Sequence, residues 1–550
     1  MTTSVTASAA ALPDWLAHRA ATAPERAALV ASGRSWTFAE LDADASRAAR
    51  QLATLGARAG GRVATLLPNG AAPAILAHAV RRLGAALVPL NVRLGAAELA
   101  WQLGDARPDV LVADPRTAAL AGDALQAARI GSVSGGAIQR GAIQGDPIRG
   151  GPTDGADPSL TITALAVDGP VLGAVGEANV ALRLAHDPGD VLAILYTSGT
   201  TGRPKGAMLT VGNFWWSAVG SALNLGAQPD DRWLACLPLF HVGGLSIVLR
   251  TAIYGATAVV HDAFDPAAVN QAIDADGVTL VSVVAVMLQR MLDAREADGG
   301  GRAYPPALRA VLLGGGPAPA PLLERCAAEG VPVVQTYGLT ETCSQIATLA
   351  PGDALRKLGS AGRALYPNAL RVVAGVRDAA ADEAGEIVVR GPVVMAGYAG
   401  RPDETARAVV DGWLHTGDVG RLDAEGFLYV LDRRDDLIIT GGENVYPAEV
   451  EAAILAHPWV AEAGVVGALD DVWGERVVAV VRLTDDAGPV ETVPDVLRAH
   501  CRARLAGYKV PAEVRVAGEP LPRTASGKLQ RAALRAEVRR EVRTDGTDAA

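Results

Sequence analysis

The N-terminal part of the chain alternates between helical and strand patterns, and this alternation limits the possible folds more than any other feature. Residues 39–57 place apolar side chains at helical spacing, 62–70 follow as a short apolar strand, and 74–91 repeat helix and strand. The same kind of pattern returns at 191–202 and, as strand then helix, at 278–292. Strands that alternate with helices favour βαβ units. We therefore predict an α/β fold with parallel-rich sheets and helices in a large N-terminal domain.

The chain changes character at a run of charged residues that begins at Asp432. After this run, a compact helix–strand–strand pattern predicts a small α+β domain. Within the N-terminal region, residues 130–158 have few charges and contain the tetrapeptide GAIQ twice, which is typical of a low-complexity surface insertion. We predict an N-terminal domain over 1–432, a hinge over 433–435, a mobile C-terminal domain over 436–540 and a tail over 541–550.

Charge and cysteine content exclude several classes of protein. Lys and Arg number 50 against 60 Asp and Glu, and the net charge of −10 differs from the basic footprint of a nucleic-acid-binding protein. The four cysteines are widely spaced, so neither a disulfide framework nor a zinc site is encoded. No apolar run reaches the ~18 residues that would cross a bilayer. We expect a soluble cytoplasmic protein without membrane insertion, and the oligomeric state, including a homo-oligomer, stays open.

A loop rich in hydroxyl groups and glycine follows the strand pattern that begins at residue 191. Backbone N–H groups and hydroxyls of such a loop can wrap a polyphosphate, and the lysine at its end adds positive charge. Its spacing differs from that of a Walker A motif. We therefore predict a triphosphate-binding loop formed by Thr197, Ser198, Gly199, Thr200, Thr201, Gly202 and Lys205.

Other residues along the chain supply the remaining groups that a nucleotide site needs. Glu341 offers a hard carboxylate oxygen of the kind that Mg²⁺ accepts. Tyr337 could stack on adenine, and Asp418 could accept both ribose hydroxyls, with Arg433 reaching the same region. The glycine run 314–316 would let a planar group lie against the backbone. Each of these residues taken alone is also compatible with an ordinary structural role.

Five motifs in order resemble those of the adenylate-forming superfamily, which includes acyl- and aryl-CoA synthetases, luciferases and peptide-synthetase adenylation domains. They are the loop TSGTTGRPKG, then YGLTET at 337–342, WLHTGD at 413–418, RRDDLI at 433–438 and PRTASGK at 522–528. The resemblance covers nearly the whole chain apart from 130–158. It implies a ligase that uses ATP and Mg²⁺ to form an acyl-adenylate and then a thioester with coenzyme A.

The resemblance also implies roles for individual residues. Lys528 would meet the carboxylate and the α-phosphate, Asp435 would be the hinge, and Gly441 and Gly442 would border the coenzyme A tunnel. Catalytic roles are implied for Lys528, Lys205, Glu341 and His241, and magnesium ligation for Glu341 and Thr197. Beyond the phosphate loop, the residues implied to bind ATP are Gly315, Gly316, Tyr337, Gly338, Thr340, Glu341, Asp418, Arg433 and Lys528.

The string TETCSQIAT at 340–348 resembles one subfamily, the o-succinylbenzoate–CoA ligases of menaquinone biosynthesis. Their substrate has two carboxylates and a keto group, so its pocket should offer hydroxyl and amide donors. Ser344, Gln345 and Thr348 fit that requirement, and Gly314 is expected in the same pocket. His241, in the segment PLFHVGG, could contact the acyl group or only fill the wall.

Two other functions stay open on the sequence alone. One is a general aryl- or medium-chain acyl-CoA ligase, because the superfamily motifs do not determine the acid. The other is a catalytically silent binding protein of the same fold, which the intact motif residues disfavour. A peptide-synthetase adenylation domain is less favoured, because only a short tail follows Lys528.

Overall fold

The computed structural model describes residues 11–128, 163–166, 172, 175–197, 203–298, 303–315, 318, 320–432, 438–445, 447–522 and 531–545. Several predicted features lie outside these ranges. They are the insertion at 130–158, the loop residues 198–202, Gly316, the hinge residues 433–435 and Lys528.

Fourteen α-helices occur in the described part of the chain. They are α1 Trp15–Thr22, α2 Phe38–Thr54, α3 Ala71–Arg82, α4 Ala96–Ala106, α5 Ala118–Ala127, α6 Val211–Leu225, α7 Val242–Tyr254, α8 Pro266–Ala275, α9 Ala285–Ala297, α10 Ala320–Ala328, α11 Pro402–Ala408, α12 Pro447–Leu455, α13 Val493–Arg502 and α14 Arg531–Asp545.

The strands of the described residues number twenty-nine. They are β1 Leu12–Pro13, β2 Ala27–Ala31, β3 Arg34–Thr37, β4 Arg62–Leu66, β5 Ala86–Pro89, β6 Val110–Ala113, β7 Thr163–Ala166, β8 Ala185–His186, β9 Val191–Thr197, β10 Lys205–Thr210, β11 Arg232–Ala235, β12 Thr257–Val260, β13 Leu280–Val283, β14 Ala310–Leu313, β15 Val333–Tyr337, β16 Ala347–Thr348, β17 Arg363–Ala364, β18 Ala369–Ala374, β19 Arg377–Asp378, β20 Gly385–Arg390, β21 Gly397–Tyr398, β22 Val409–Val410, β23 Trp413–Leu422, β24 Leu428–Asp432, β25 Ile438–Thr440, β26 Glu443–Val445, β27 Val460–Asp470, β28 Gly474–Leu483 and β29 Glu513–Val516.

Two parallel-rich sheets form most of the N-terminal region. The first has the order β21-β10-β9-β5-β4-β6-β7, in which β9, β5, β4, β6 and β7 run parallel. The second has the order β17-β16-β15-β14-β13-β11-β12-β2-β3, and its six strands from β15 to β2 are parallel. A six-stranded antiparallel sheet of β18, β19, β20, β22, β23 and β24 completes this part of the chain. The predicted α/β fold is confirmed.

The predicted elements agree with the structure because their local signals and their burial favour the same conformation. The segment predicted as a helix at 39–57 is α2, which begins one residue earlier. The side chain of Thr37 accepts a hydrogen bond from the Glu40 N–H at 3.2 Å, and the Glu40 carboxylate accepts one from the Thr37 N–H at 2.8 Å. This capping box satisfies N–H groups that would otherwise lack partners and fixes the start of the helix.

The C-terminal region has its own sheet and core. Strands β25 to β29 form one sheet, with β27 and β28 as a long antiparallel pair and β29 parallel to β28. Helices α12 and α13 cover one face of this sheet, and α14 packs on it through Leu534 and Val538. This is the small α+β unit that the sequence predicts, and its exact limits stay a prediction.

All four cysteines, Cys236, Cys326, Cys343 and Cys501, are buried and none is in a disulfide. Among the described helices, none is long and apolar enough to cross a membrane.

Candidate active site

A cavity of about 670 Å³ lies where the parallel strands of both large sheets end. The loops after β9, β13, β14 and β15 line it, and they contribute Thr197, Val284, Gly315 and Gly338. Ligands in α/β proteins bind at the carboxyl ends of parallel strands, because loops from neighbouring strands converge there. Residues far apart in the sequence therefore meet around one space.

Glu341 lies in a single 3₁₀ turn, Thr340–Thr342, at the edge of the cavity. Its Oε1 accepts a hydrogen bond from the Tyr398 hydroxyl at 2.9 Å and lies 3.4 Å from the Thr197 hydroxyl. Carboxylate and hydroxyl oxygens are the hard donors that Mg²⁺ prefers. The residues present therefore fit a magnesium ion bound together with a triphosphate.

Lys205 also lines the cavity, and its Nζ lies 2.6 Å from the Glu404 carboxylate and above the Tyr398 ring. Because β10 pairs antiparallel with β9, the two ends of the predicted phosphate loop, Thr197 and Lys205, lie opposite each other. The ends of that loop are thus at the cavity, whereas 198–202 lie outside the described residues.

Asp418 reaches the cavity from β23, and a buried tyrosine holds its carboxylate in place. The Tyr337 hydroxyl donates to Asp418 Oδ2 at 2.7 Å, and both residues are buried. Asp418 lines the cavity, whereas Tyr337 stands behind it and is not one of the lining residues. The other carboxylate oxygen of Asp418 is therefore available to a ligand. Tyr337 supports the carboxylate from behind.

Close backbone packing explains the glycines that line the cavity. A Cβ added to Gly338 would lie 1.6 Å from the Ser344 carbonyl oxygen, so only glycine fits there. Gly315 has a φ of +82°, a conformation that favours glycine. Cys343 and Ser344 also have positive φ, which turns the chain sharply after Glu341. This turn brings Ser344 and Gln345 to the cavity wall.

Two buried polar residues, Gln345 and Thr348, lie at or behind the cavity wall. Gln345 is buried, and its amide oxygen and nitrogen have no hydrogen-bond partner among the described residues. Thr348 is also buried, but its hydroxyl bonds to that of Thr336 at 2.8 Å, and Thr336 is the one that lines the cavity. Gln345 is therefore free to bind a ligand, and Thr348 stands one layer behind.

Arg250 is a buried cationic residue in the cavity wall. It lies on the otherwise apolar helix α7, is buried, and contacts the face of Trp233 at 5.1 Å. One of its terminal nitrogens donates to the Ser217 hydroxyl at 3.2 Å, and its Nε has no partner among the described residues. Burial lowers the pKa of Arg250. A buried guanidinium without a neighbouring carboxylate is poised to bind an anionic group.

The C-terminal region closes one side of the same cavity. Gly441 and Gly442 line it, with φ values of +57° and +81°. A Cβ on Gly441 would lie 2.7 Å from the Trp473 ring, and one on Gly442 would lie 2.8 Å from Val284 of the N-terminal region. Each glycine therefore packs closely against a side chain, Gly441 against Trp473 and Gly442 against Val284.

His241 is the N-cap residue of α7 and lines the cavity half-exposed. Its Nε2 lies 3.3 Å from the carboxylate of Glu443, which also pairs with Arg93. Burial alone would raise the pKa of Glu443, but His241 and Arg93 hold it below its usual range. His241 therefore contacts the C-terminal region as well as the cavity.

Two family models match the chain consecutively. Residues 16–399 match the AMP-binding enzyme family, and residues 449–528 match its C-terminal domain. The chain belongs to the AMP-binding enzyme family. The predicted membership of the adenylate-forming superfamily is thereby confirmed.

Relatives of known function cover almost the whole chain. A 2-succinylbenzoate–CoA ligase from Geobacillus kaustophilus is 48% identical over 96% of this chain and 98% of its own length. The o-succinylbenzoate CoA synthetase MenE from Bacillus subtilis, as a double mutant bound with the product analogue OSB-NCoA, has a TM-score of 0.84 at 40% identity, covering 96% and 99% of the two chains. The same synthetase in complex with the acyl-adenylate OSB-AMP has a TM-score of 0.69 at 41% identity and covers 96% and 98%.

The structure brings most of the predicted site residues to one cavity. The predicted residues that line it are Thr197, Lys205, His241, Gly314, Gly315, Gly338, Thr340, Glu341, Ser344, Gln345, Asp418, Gly441 and Gly442. Tyr337 and Thr348 stand behind it, and Lys528, Arg433, Asp435, Gly316 and 198–202 lie outside the described residues. Sequence reasoning missed the cavity residues Arg93, Arg250, Tyr398, Glu404, Glu443 and Lys509. The lone arginine in the apolar pattern of α7 is a signal that could have identified Arg250.

Proposed function

We propose that the protein is a 2-succinylbenzoate–CoA ligase, which forms 2-succinylbenzoyl-CoA, AMP and pyrophosphate from the acid, ATP and coenzyme A. Near-full-length relatives with this activity support the proposal. The product would serve menaquinone biosynthesis, as the resemblance implies. Among the features of the structure, the buried Arg250 in the wall of the cavity gives the proposal its strongest support, because it offers a partner for the second carboxylate of this acid.

In the first half-reaction, the reacting carboxylate of the acid attacks the α-phosphorus of ATP and pyrophosphate leaves. Magnesium, held by Glu341 with Thr197, would supply positive charge to the triphosphate. Lys205 would bind the departing phosphates, and Asp418, oriented by Tyr337, would bind the ribose. Lys528 and Arg433 are expected here by resemblance. Such chemistry depends on position and charge rather than on covalent help from the protein.

In the second half-reaction, the thiol of coenzyme A attacks the acyl carbonyl carbon of the adenylate and AMP leaves. The thiol proton is released, and a thioester bond replaces the mixed anhydride. Gly441 and Gly442 line the cavity where the two regions meet, and the pantetheine arm would pass beside them, as the resemblance implies. The higher TM-score to the relative bound with a thioester product analogue supports a domain orientation suited to this step.

Specificity for this acid would come from the polar wall described above. Arg250 would pair with the second carboxylate, and the free amide of Gln345 and the Ser344 hydroxyl would bond the remaining oxygens. An acid without a second carboxylate would leave these groups unpaired, and each buried unpaired group costs ~1–3 kcal/mol. Discrimination against simple aromatic and aliphatic acids follows from this loss.

Pyrophosphate release with a panel of acids tests the proposal. With ATP, Mg²⁺ and coenzyme A, 2-succinylbenzoate should give a higher kcat/KM than benzoate, coumarate or octanoate. A higher value for coumarate or octanoate would instead indicate a general acyl-CoA ligase. No pyrophosphate with any acid, from protein that still binds ATP, would indicate a silent binding protein.

A further inference from the structure

Three buried charged side chains lie where the N- and C-terminal regions meet. The Lys509 ammonium, in a turn of the C-terminal region, lies 2.8 Å from the Glu98 carboxylate and 2.7 Å from that of Glu449. Glu98 belongs to α4 of the N-terminal region, whereas Glu449 belongs to α12 of the C-terminal one. The three side chains are only 4–8% exposed. The ion triad therefore forms only when the two regions are docked in this orientation.

The charges of the triad do not balance. Two carboxylates share one ammonium. Tyr508 and Glu443 interact with this group, and Arg93 and His241 in turn lie beside Glu443. Glu443 and Arg93 pair with each other, which leaves one excess negative charge when His241 is neutral. The second oxygen of Glu98 is held by the Gly95 N–H, but the second oxygen of Glu449 has no donor among the described residues. An uncompensated buried charge is expensive, and a proton would remove it.

We propose that Glu98, Lys509 and Glu449 are positioning residues for the thioester-forming step, and that docking the C-terminal domain in this orientation binds one proton between the two carboxylates. The inference rests on the proposed two-step function, because only the second step needs this orientation. Glu98 and Glu449 do not line the cavity, and Lys509, which does, has its ammonium paired with their carboxylates. The triad acts by holding Gly441, Gly442 and the rest of the C-terminal wall against the cavity.

The direction of the pH effect follows from linkage. Burial, together with the neighbouring Glu98, raises the pKa of Glu449 to about 7 in the docked arrangement. Once undocked, the group is expected to return towards the ordinary glutamate value near ~4.3. Docking is then most favourable below that lower value and weakens as the pH rises towards 7. Above 7 both arrangements lack the proton and the pH dependence levels off.

Two variants separate this role from a merely structural one. Glu449→Gln replaces the titrating group with a permanently neutral one, so docking should lose its pH dependence and at pH 7.5 should be stronger than in the wild type. Glu98→Gln also removes the excess charge, but it loses the charged bond between the domains. Docking should therefore be weaker than in the wild type, with a shallower pH dependence that comes from the burial of Glu449 alone. Glu451→Gln is the matched control, because Glu451 is as buried as Glu449 but pairs with Arg531 inside the C-terminal region.

Docking can be measured directly in the full chain by energy transfer between dyes at Leu355→Cys and Val490→Cys. Both positions are exposed and the four native cysteines are buried. The wild-type docking constant, with coenzyme A present, should fall by about tenfold or more between pH 5.5 and 7.5. The second half-reaction, followed in a single turnover from preformed acyl-adenylate, should show the same fall relative to Glu449→Gln.

Two results would overturn the inference. One is a docking profile with the same pH slope in the wild type and in Glu449→Gln. The other is an equal loss in Glu98→Gln of both half-reactions, with adenylation followed by ATP–pyrophosphate exchange. If adenylation fails with every acid even in the wild type, the proposed function is wrong, and the dye measurement still decides the docking question separately.

Discussion

The contact between Gly442 and Val284 allows a sharp test of the two-step mechanism. Gly442 lies in the C-terminal region and Val284 in the N-terminal one, so the contact exists only when the two are docked. A Cβ on Gly442 would lie 2.8 Å from one methyl carbon of Val284. It would lie 3.7 Å from the Cβ and from the other methyl carbon of Val284. Gly442→Ala should therefore penalise the docked state.

The size of this penalty on the docked state follows from the overlap between the added methyl group and Val284. Inserting a methyl group into a packed contact costs ~1–3 kcal/mol, which corresponds to roughly a fivefold to hundredfold loss of the docked state. The positive φ of Gly442 adds strain of about 1–2 kcal/mol for any side chain. Val284→Ala removes the clashing methyl groups and leaves only the 3.7 Å contact. In the double variant, the part of the docking penalty that comes from overlap should disappear, and the part that comes from backbone strain should remain.

The assay is single-turnover kinetics of each half-reaction for the wild type, the two single variants and the double variant. Gly442→Ala should slow thioester formation from preformed acyl-adenylate and leave ATP–pyrophosphate exchange within about twofold of the wild type. Gly442→Leu should slow thioester formation further and likewise leave adenylation intact. If Val284→Ala rescues nothing, or if Gly442→Ala slows both steps equally, the contact between Gly442 and Val284 does not control the second step.

Four further expectations follow from the site and the motifs. Arg250→Met should lower kcat/KM for 2-succinylbenzoate by about tenfold to a hundredfold and leave the low activity with benzoate unchanged, because a charged hydrogen bond contributes ~1.5–3 kcal/mol; equal losses with both acids would contradict its role. Lys528→Ala should slow adenylation by ~10²-fold or more, measured by pyrophosphate exchange, while thioester formation from added acyl-adenylate continues at a near-normal rate. Asp435→Pro should slow the second step more than the first, since it restricts the proposed hinge. Deleting 132–156 should leave ATP turnover largely intact, and a folded but inactive deletion would show that the segment has a function.

Several of the motifs that predict the site follow buried strands, and this explains why the structure brings them to one cavity. Thr197, Gly314 and Gly338 each come at or directly after the end of a strand, and parallel strands end at one edge. Their meeting around a cavity therefore follows from the strand pattern together with the fold class. The polar identity of the residues then indicates a nucleotide.

Side-chain direction and burial were less predictable. Gln345 lines the cavity and Thr348 does not, because the chain turns between them and Thr348 bonds to the hydroxyl of Thr336 behind the wall. Arg250 and Lys509 belong to segments that read as an apolar helix and a short turn, and their roles depend on what the fold packs against them. Lys509 in particular acquires its partner from a helix more than four hundred residues away in the chain.

The burial of the cysteines has a chemical consequence for an enzyme that makes a strong acylating agent. Cys343 follows Thr342 in the turn at the edge of the cavity, yet its side chain is fully buried, and burial raises the pKa of its thiol. Burial likewise raises the pKa of Cys236 to about 12. The thiolate is the nucleophilic form, so these sulfurs are almost inert at neutral pH. An activated acyl group held in the cavity would thus not be lost to these two cysteines, and the thiol of coenzyme A would remain the reactive sulfur.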